Sequence, residues 1–298
     1  MINICVLMST YNGERFIQKQ IDSIFNQKDV NVHLVVRDDG SNDCTKIIVN
    51  KYISAGYNLR LIEGDNHGPI ESFLDLIFSI EGFDYYALAD QDDIWYSEKL
   101  ISGIRMLNDY SNYPSLYYSA VSLIDENDMP IAKLYPLNRV TKKNVFFGFY
   151  ATGCTIIYNA QFRNLLLRYR PKGICMHDAW LVTVACFLGK VICDERSFIG
   201  YRQHSNNVVG MIKKRNVKEK IYDFFIKNRY RHSILARELL VGYSDLLNEM
   251  EELQLLHNVA NYCKNISACI DLLCSSELKA LSRSQRNSVI RQILLRVF

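Results

Sequence analysis

Three aspartates within four positions form a group of candidate metal-ligand side chains in this sequence of 298 residues. Asp90, Asp92 and Asp93 lie in FDYYALADQDDIW (83–95), directly after an apolar run. Crowded carboxylates repel one another unless a cation or hydrogen bonds offset their charge. Mg²⁺ and Mn²⁺ prefer oxygen ligands and often share them with phosphates. The cluster predicts a divalent-cation site, whereas capping of the following helix would explain one carboxylate of the three.

Polar residues also follow each of the earlier apolar runs in the first half of the chain. The four polar segments are Ser9-Thr10-Tyr11-Asn12, Asp38-Asp39-Gly40-Ser41, Asn66-His67-Gly68 and Asp90-Gln91-Asp92-Asp93. If the apolar runs are parallel strands, these segments meet at one edge of a sheet, where ligands bind in open α/β folds. The convergence of four polar segments predicts a ligand site.

The elements that would position these segments follow from hydrophobic patterning. Short apolar strands alternate with amphipathic helices up to residue 89, which predicts βαβ units and a parallel sheet covered on both faces. A looser α+β pattern follows, and from residue 211 the pattern is helical throughout. The predicted strands are 4–8, 32–36, 59–63, 85–89, 115–123, 153–158 and 191–199, and the predicted helices are 14–27, 45–55, 69–80, 160–168 and 178–188.

Composition and missing motifs narrow the class of protein. Hydrophobic residues make up 49% and charged residues 22%, as in soluble globular proteins. GxGxxG and GxxxxGK[ST] are both absent, so a phosphorylated ligand needs another source of positive charge. The nine cysteines show no CxxC pair and no zinc-like spacing, which favours a reducing cytoplasm. The apolar N-terminus carries no export signal, so we expect a protein that is not exported.

Six segments occur in the order typical of one enzyme family, and they cover residues 1 to about 210. They are STYNGERF (9–16), RDDGSNDCT (37–45), NHGPIESF (66–73), ADQDDIW (89–95), HDAWL (177–181) and YRQHSNNVVG (201–210). The chain thereby resembles the family 2 glycosyltransferases of the GT-A fold. ADQDDIW, HDAWL and YRQHSNNV are most similar to the bacterial rhamnosyltransferase-like branch, which builds cell-surface polysaccharide. The resemblance implies an α/β catalytic domain over 1–210 with a mostly parallel sheet flanked by helices.

The resemblance implies a nucleotide-binding role for the first three polar segments. Asp39 is expected to hydrogen-bond the base or ribose of the donor. Asp38 has a competing interpretation, because with Gly40 and Ser41 it would build a turn. Gly68 likewise either flanks the nucleoside or only forms the turn before the next helix. The full set expected to line the nucleotide pocket is Thr10, Tyr11, Asn12, Asp39, Asn66 and Gly68.

The resemblance also assigns the acidic cluster and the last segment. Asp90 and Asp92 fill the family's DxD positions, where they would contact the sugar nucleotide and coordinate Mn²⁺ or Mg²⁺ between its two phosphates. Asp93 either supports this site or caps a helix. Arg202 is expected to contact a phosphate, and His204 is either a metal ligand or a structural residue.

Asp178, in HDAWL, matches the position of the family's catalytic base. It opens a very apolar helix, where partial desolvation would raise its pKa toward the range that suits a base. The alternative is an N-cap with Trp180 and Leu181 in the core. His177 would either orient Asp178 or stabilise the turn.

The C-terminal region differs in charge from the rest of the chain. Residues 1–210 carry 20 Lys/Arg and 23 Asp/Glu, whereas residues 211–298 carry 15 and 9. Residues 211–231 alone hold eight basic residues among aromatic and aliphatic ones. This helical basic region (211–298) would pack on the catalytic domain, form a homodimer interface, or lie on an anionic membrane surface. No recognition motif supports nucleic-acid binding.

These observations together predict a metal-dependent inverting glycosyltransferase. It would transfer a sugar to a glycan or lipid-linked glycan acceptor that is used for O-antigen or capsule. The expected donor is dTDP-rhamnose, and the other candidate donor is a UDP-sugar. Its expected location is the cytoplasm, at the inner face of the cell membrane. The rivals are a sugar-1-phosphate nucleotidyltransferase, which would need a Gly-rich basic loop after the first strand, and a catalytically silent GT-A scaffold.

Overall fold

The first half of the chain alternates strands and helices, as the sequence predicts. The computed structural model describes residues 2–134, 139–148, 151–204 and 231–298. β1 and β2 are longer than their apolar runs, because their hydrogen-bonded register continues to the polar pair Thr10 and Asp38. The elements are β1 (Ile2–Thr10), α1 (Ile17–Phe25), β2 (Val30–Asp38), α2 (Thr45–Ser54), β3 (Leu59–Glu63), α3 (Pro69–Ser79) and β4 (Tyr85–Ala89).

The middle of the chain contains two short strands that hydrophobic patterning missed, β5 and β7. The predicted strand over 153–158 is wrong in its first half, because the carbonyls of Thr152 and Gly153 accept hydrogen bonds from the amides of Thr155 and Ile156 and fold a 3-10 turn. The elements are β5 (Ile94–Trp95), α4 (Lys99–Asn108), β6 (Ser115–Ile124), β7 (Pro130–Leu134), the 3-10 turn Gly153–Thr155, β8 (Ile157–Asn159), α5 (Ala160–Leu166), α6 (His177–Leu188) and β9 (Lys190–Arg202).

Within the described residues the strands form one sheet, in the order β3-β2-β1-β4-β8-β6-β9-β5, with β7 paired to β6. β1 pairs in parallel with both β2 and β4, and β6 pairs in parallel with β9. β8 is antiparallel to β4 and β6 and so joins the two parallel parts. The register aligns Met8 with Ala89 and Thr10 with Asp38, which brings the polar strand ends to one edge.

Helices cover both faces of this sheet. The five residues 4–8 of β1 are all fully buried, which is the pattern of a parallel strand with no solvent face. In α1, the buried residues Ile17, Ile21 and Ile24 recur at the spacing of one helix face. α3 begins at Pro69 after Gly68, whose φ of 83° an L side chain rarely adopts. The predicted α/β architecture is confirmed.

Residues 231–298 are mostly helical, and they share a core with the rest of the chain. Trp180 of α6 lies 6.2 Å from Tyr243 between ring centroids, and Phe147 stacks on Phe298 at 5.7 Å. The proposed boundary at residue 210 and most of the basic segment 211–231 lie outside the described residues. The helices are α7 (Arg231–Gly242), α8 (Ser244–Leu247), α9 (Leu253–Asn261), α10 (Ile266–Cys274), α11 (Ser276–Lys279) and α12 (Arg283–Leu294).

None of the helices in the described ranges combines the length and the apolar character that a bilayer span requires.

Candidate functional site

The carboxyl ends of β1, β2 and β4 open into a cleft of about 590 Å³. Nine of the eleven residues expected to form the site line this cleft, and the two others, Thr10 and Arg202, lie behind its surface. The nine are Tyr11, Asn12, Asp39, Asn66, Gly68, Asp90, Asp92, Asp178 and His204. The topology therefore brings together side chains that are up to about two hundred residues apart in sequence.

Gln91, to which the sequence assigns no role, holds the loop after β1. Its Oε1 accepts hydrogen bonds from Thr10 Oγ1 at 2.5 Å and from the Tyr11 amide at 2.9 Å. Its Nε2 donates to the Tyr11 carbonyl at 3.0 Å. A Cβ at Gly13 would lie 2.3 Å from Gln91 Oε1, so a side chain there would disrupt this contact. Thr10 is thus used for positioning, and Tyr11 is the residue presented to the cleft.

Asn12 joins the loop after β1 to the loop after β2. Its backbone amide donates to Ser41 Oγ at 2.9 Å, and its Oδ1 accepts from the Asn42 amide at 2.9 Å. Asn12 adopts a φ of 47°, a left-handed conformation that asparagine tolerates better than most residues. The two loops are therefore held as one wall of the cleft.

The neighbouring aspartates after β2 have different roles. Asp38 Oδ1 accepts from the Ser41 amide at 2.8 Å, so Asp38 builds the turn. Asp39 lines the cleft, pairs with Arg37, and accepts from the amides of His67 at 3.1 Å and Gly68 at 2.8 Å. Asp39 thus fixes the loop after β3, and a ligand would compete for its remaining acceptor sites.

The acidic cluster crowds three carboxyl groups together at the end of β4. Burial, and then the carboxylates of Asp92 and Asp178, raise the pKa of Asp90 above its usual range. Burial and the charges of Asp92 and Asp90 hold the pKa of Asp93 well above its usual range. Ligand atoms of Asp90, Asp93 and Cys154 lie within 4.8 Å of one another. Such crowding is the situation that a bound cation relieves.

A buried lysine, which sequence reasoning missed, lies behind this cluster. Lys99 is 1% exposed, and its Nζ lies 3.6 Å from the centroid of the Trp95 ring. Burial lowers the pKa of Lys99 to about 7, although Cys154 and Asp93 act in the opposite direction. Lys99 begins an amphipathic helix and gives no sequence signal that distinguishes it from a surface lysine. When protonated, Lys99 offsets the charge of Asp93, and it does not line the cleft.

His204 is placed directly beside Asp92. Its Nε2 lies 2.7 Å from Asp92 Oδ2, and its ring stacks on Phe16 with centroids 5.1 Å apart. Asp90, Asp92 and His204 all line the cleft, and the two carboxylates offer the oxygen donors that suit Mn²⁺ or Mg²⁺. These residues fit the metal that the family resemblance implies.

The position of Arg202 does not fit the expected contact with a donor phosphate. Its side chain is 0% exposed and does not line the cleft. Its guanidinium donates to the carbonyls of Asp92 at 2.7 Å and Asp125 at 2.9 Å, and pairs with Asp128 at 2.6 Å. Arg202 therefore braces the acidic loop against the β6–β7 turn through its Nε and one Nη. Residues 205–210 of the same segment lie outside the described residues.

Asp178 lies in the first turn of α6 and is 3% exposed. Burial raises the pKa of Asp178 to about 6, although backbone hydrogen bonds from Ala179 and Gly153 favour the ionised form. No hydrogen bond joins it to His177 among the described residues. The His177 ring instead stacks on Phe73 with centroids 4.1 Å apart, and burial lowers its pKa to about 3. Asp178 thus has the acidity of a base that works near neutral pH.

Comparison with known proteins agrees with this geometry. The sequence pattern of the family described as glycosyl transferase family 2 matches residues 5–168. The chain is 31% identical over 222 residues to dTDP-rhamnosyl transferase RfbG from Shigella flexneri. The aligned region covers 68% of this chain and 73% of that protein.

Two solved glycosyltransferase structures share the fold. One is S. aureus TarS 1-349 in complex with UDP-GlcNAc, with a TM-score of 0.61, 18% identity, and coverage of 100% of this chain and 82% of that chain. The other is the mannosyltransferase PcManGT from Pyrobaculum calidifontis in complex with GDP-Man and Mn²⁺, with a TM-score of 0.52, 16% identity, and coverage of 99% and 80%. The fold is that of GT-A glycosyltransferases, and with the family pattern over more than half of its length the chain belongs to glycosyl transferase family 2.

Proposed function

We propose that this glycosyltransferase transfers rhamnose from dTDP-rhamnose, with inversion, to a hydroxyl of a glycan or lipid-linked glycan used for bacterial surface polysaccharide. The single observation that supports the donor is the 31% identity to a dTDP-rhamnosyl transferase over 68% of this chain. Neither rival is retained, because the family is one of glycosyltransferases and because Asp90, Asp92 and Asp178 all line one cleft.

The proposed division of labour follows from the cleft. The loops carrying Tyr11, Asn12 and Asp39 would hold the nucleoside, with Asn66 and Gly68 beside it. Asp90 and Asp92, with His204, would hold Mn²⁺ or Mg²⁺ against the donor diphosphate. A bound divalent cation supplies Lewis-acid stabilisation of the negative charge that develops on the leaving diphosphate.

Asp178 is the proposed general base. Its ionised carboxylate would remove the proton from the acceptor hydroxyl as that oxygen attacks the anomeric carbon on the face opposite the diphosphate. Two features support this role: its position in the same cleft as Asp90 and Asp92, and its raised pKa. The burial that raises the pKa also excludes water, which would otherwise compete with the acceptor.

A donor screen tests the proposed reaction. Purified enzyme with Mn²⁺ is incubated with dTDP-rhamnose, other dTDP-sugars, UDP-sugars and GDP-sugars, and thermal stabilisation and slow donor hydrolysis are measured. We expect dTDP-rhamnose to give the largest response, and it should disappear with EDTA. A clear preference for a UDP- or GDP-sugar would refute the donor, and a response that persists in EDTA would refute the metal requirement.

We also propose that α10 and α12 contact the inner face of the cell membrane. Ile266 and Ile270 of α10 are 73% and 54% exposed, and Leu294 at the end of α12 is 62% exposed. Arg291 and Arg296 are exposed beside Leu294. Leu294 lies between two arginines, a combination that favours an anionic lipid surface, where each basic residue contributes about 1 kcal/mol.

This surface is tested by flotation with vesicles of phosphatidylcholine alone and with added phosphatidylglycerol. The double variant Ile270→Ser/Leu294→Ser should lose most binding to the anionic vesicles. Ile47→Ser, which removes an isoleucine that is 59% exposed on α2, is the matched control and should bind normally. Unchanged flotation of the double variant would refute the proposal, and a dimer that dissociates in this variant would assign the surface to a second copy.

A further inference from the structure

Arg15 is the arginine that reaches the cleft. It lies in the loop between β1 and α1, and its side chain is 59% exposed. Among the described residues that line the cleft, Arg15 is the sole arginine, and no lysine lines it. A donor diphosphate brings more negative charge to a cleft that already contains Asp90, Asp92 and Asp178. Arg15 is therefore positioned to provide the positive charge that Arg202, buried behind the cleft, does not present there.

A chain of contacts places Arg15 next to the proposed metal ligands. The Arg15 Cζ lies 4.8 Å from the centroid of the Phe16 ring. The same ring stacks on His204, whose Nε2 lies 2.7 Å from Asp92 Oδ2. The guanidinium is thus one aromatic ring away from the His204–Asp92 pair, where the donor phosphates would lie under the proposed function.

Arg15 already has an anionic partner, and that partner is weakly held. Arg15 donates through one Nη to Glu126 Oε2 at 2.6 Å, and the Glu126 side chain in the β6–β7 turn is 39% exposed. Exposed ion pairs contribute little, because water and salt screen both charges. A phosphate oxygen in a closed cleft is a stronger partner for the planar guanidinium fork.

We propose that Arg15 binds the diphosphate of the sugar-nucleotide donor by exchanging Glu126 for a phosphate oxygen. Glu126 holds the Arg15 guanidinium at the rim of the cleft and competes with the donor for it. In the loaded enzyme Arg15 stabilises charge on the leaving diphosphate. This inference rests on the proposed function, because it requires a nucleoside diphosphate in this cleft.

The test measures binding of dTDP and of UDP by calorimetry in the presence of Mn²⁺, with the full chain. Arg15→Gln should weaken binding of the preferred nucleotide by about tenfold or more, the usual effect of losing one charged hydrogen bond. Arg15→Lys should recover part of that affinity, because the charge remains but the fork is lost. Glu126→Gln should bind as tightly as the wild type or up to about fivefold more tightly, since a competing surface pair is removed.

Lys19→Gln is the matched control. Lys19 is 57% exposed and pairs with Asp128 of the same turn at 2.5 Å, but it does not line the cleft. Its removal should leave nucleotide affinity within twofold of the wild type. Circular dichroism and thermal unfolding check that each variant is folded.

The outcomes separate the two proposals. Wild-type affinity in Arg15→Gln would overturn the role of Arg15, as would a Glu126→Gln variant weakened as much as Arg15→Gln, because the ion pair would then be structural. If Arg15→Gln keeps nucleotide affinity but raises the acceptor KM, Arg15 belongs to the acceptor site and the inference is wrong. If the wild type binds neither nucleotide, the proposed function fails, and this inference fails with it.

Discussion

Replacing Asp178 by asparagine should remove activity and at the same time stabilise the protein. Asp178 is 3% exposed, and burial raises its pKa from 3.8 to about 6. A raised folded-state pKa means that the ionised carboxylate is less favourable in the folded protein than in the unfolded chain. The difference corresponds to about 3 kcal/mol of destabilisation once the group is fully ionised. Asparagine keeps the shape and the acceptor oxygen without the charge.

The upward direction of the pKa shift determines the pH range in which Asp178→Asn and the wild type differ in stability. Below about pH 3 the carboxyl is protonated in both states, so Asp178→Asn and wild type should be about equally stable. Between about pH 3 and pH 6 the unfolded chain ionises first, and wild-type stability falls relative to the variant. Above pH 6 the difference should level off, at about 1–3 kcal/mol in favour of the variant, because an amide accepts hydrogen bonds more weakly than a carboxylate.

Urea unfolding in EDTA at pH 4.5 and pH 8 measures this difference, and initial rates measure turnover. The turnover number should fall by about 10²–10⁴ with donor affinity retained, because only the base is lost. Asp194→Asn is a control for which we expect the opposite change in stability. Burial acts to raise the pKa of Asp194, but hydrogen bonds from Arg196 and Tyr117 outweigh it and leave the pKa lowered, so this variant should be less stable at pH 8.

Two results would contradict this account of Asp178. A variant with near-normal turnover would exclude Asp178 as the base. A variant that is less stable than wild type at pH 8 would show that the ionised Asp178 carboxylate does not destabilise the folded protein. A stability difference that does not change with pH would show the same.

Two further substitutions test the rest of the cleft. Asp92→Ala should abolish Mn²⁺-dependent nucleotide binding in calorimetry while the thermal unfolding midpoint stays close to wild type, and unchanged binding would refute the metal assignment. Gln91→Ala removes three hydrogen bonds that hold the loop carrying Thr10 and Tyr11, so the donor KM should rise by roughly tenfold. A wild-type KM in Gln91→Ala would disprove the positioning role.

The parts of the molecule that sequence predicted well depend on local pattern. The strands 59–63 and 85–89 match the structure, because a continuous apolar run of this length, ended by polar residues, has one stable place in a parallel sheet. β5 was missed because it has two residues and is defined by pairing with β9, about a hundred residues later.

In the site, too, sequence predicted what depends on local pattern and missed what depends on distant partners. Polar strand ends revealed which residues converge, since parallel register places them at one edge. Sequence could not show the direction of a long side chain, and Arg202 turned inward to three protein oxygens although its segment follows the cleft. Gln91 and Lys99 were missed for the same reason: an amide between two aspartates and a lysine at a helix start become informative only when their distant partners are known.

The shared core of the C-terminal helices bears on how such an enzyme can be engineered. Trp180 is two residues from Asp178, and it packs on Tyr243, whose hydroxyl donates to the Leu165 carbonyl at 3.2 Å. A chimaera that joined residues 1–204 to the tail of another transferase would replace the surface against which α6 rests. Even with all nucleotide-binding loops intact, the helix that carries the proposed base would lose its support, so the segment 1–204 of this chain is not a portable module.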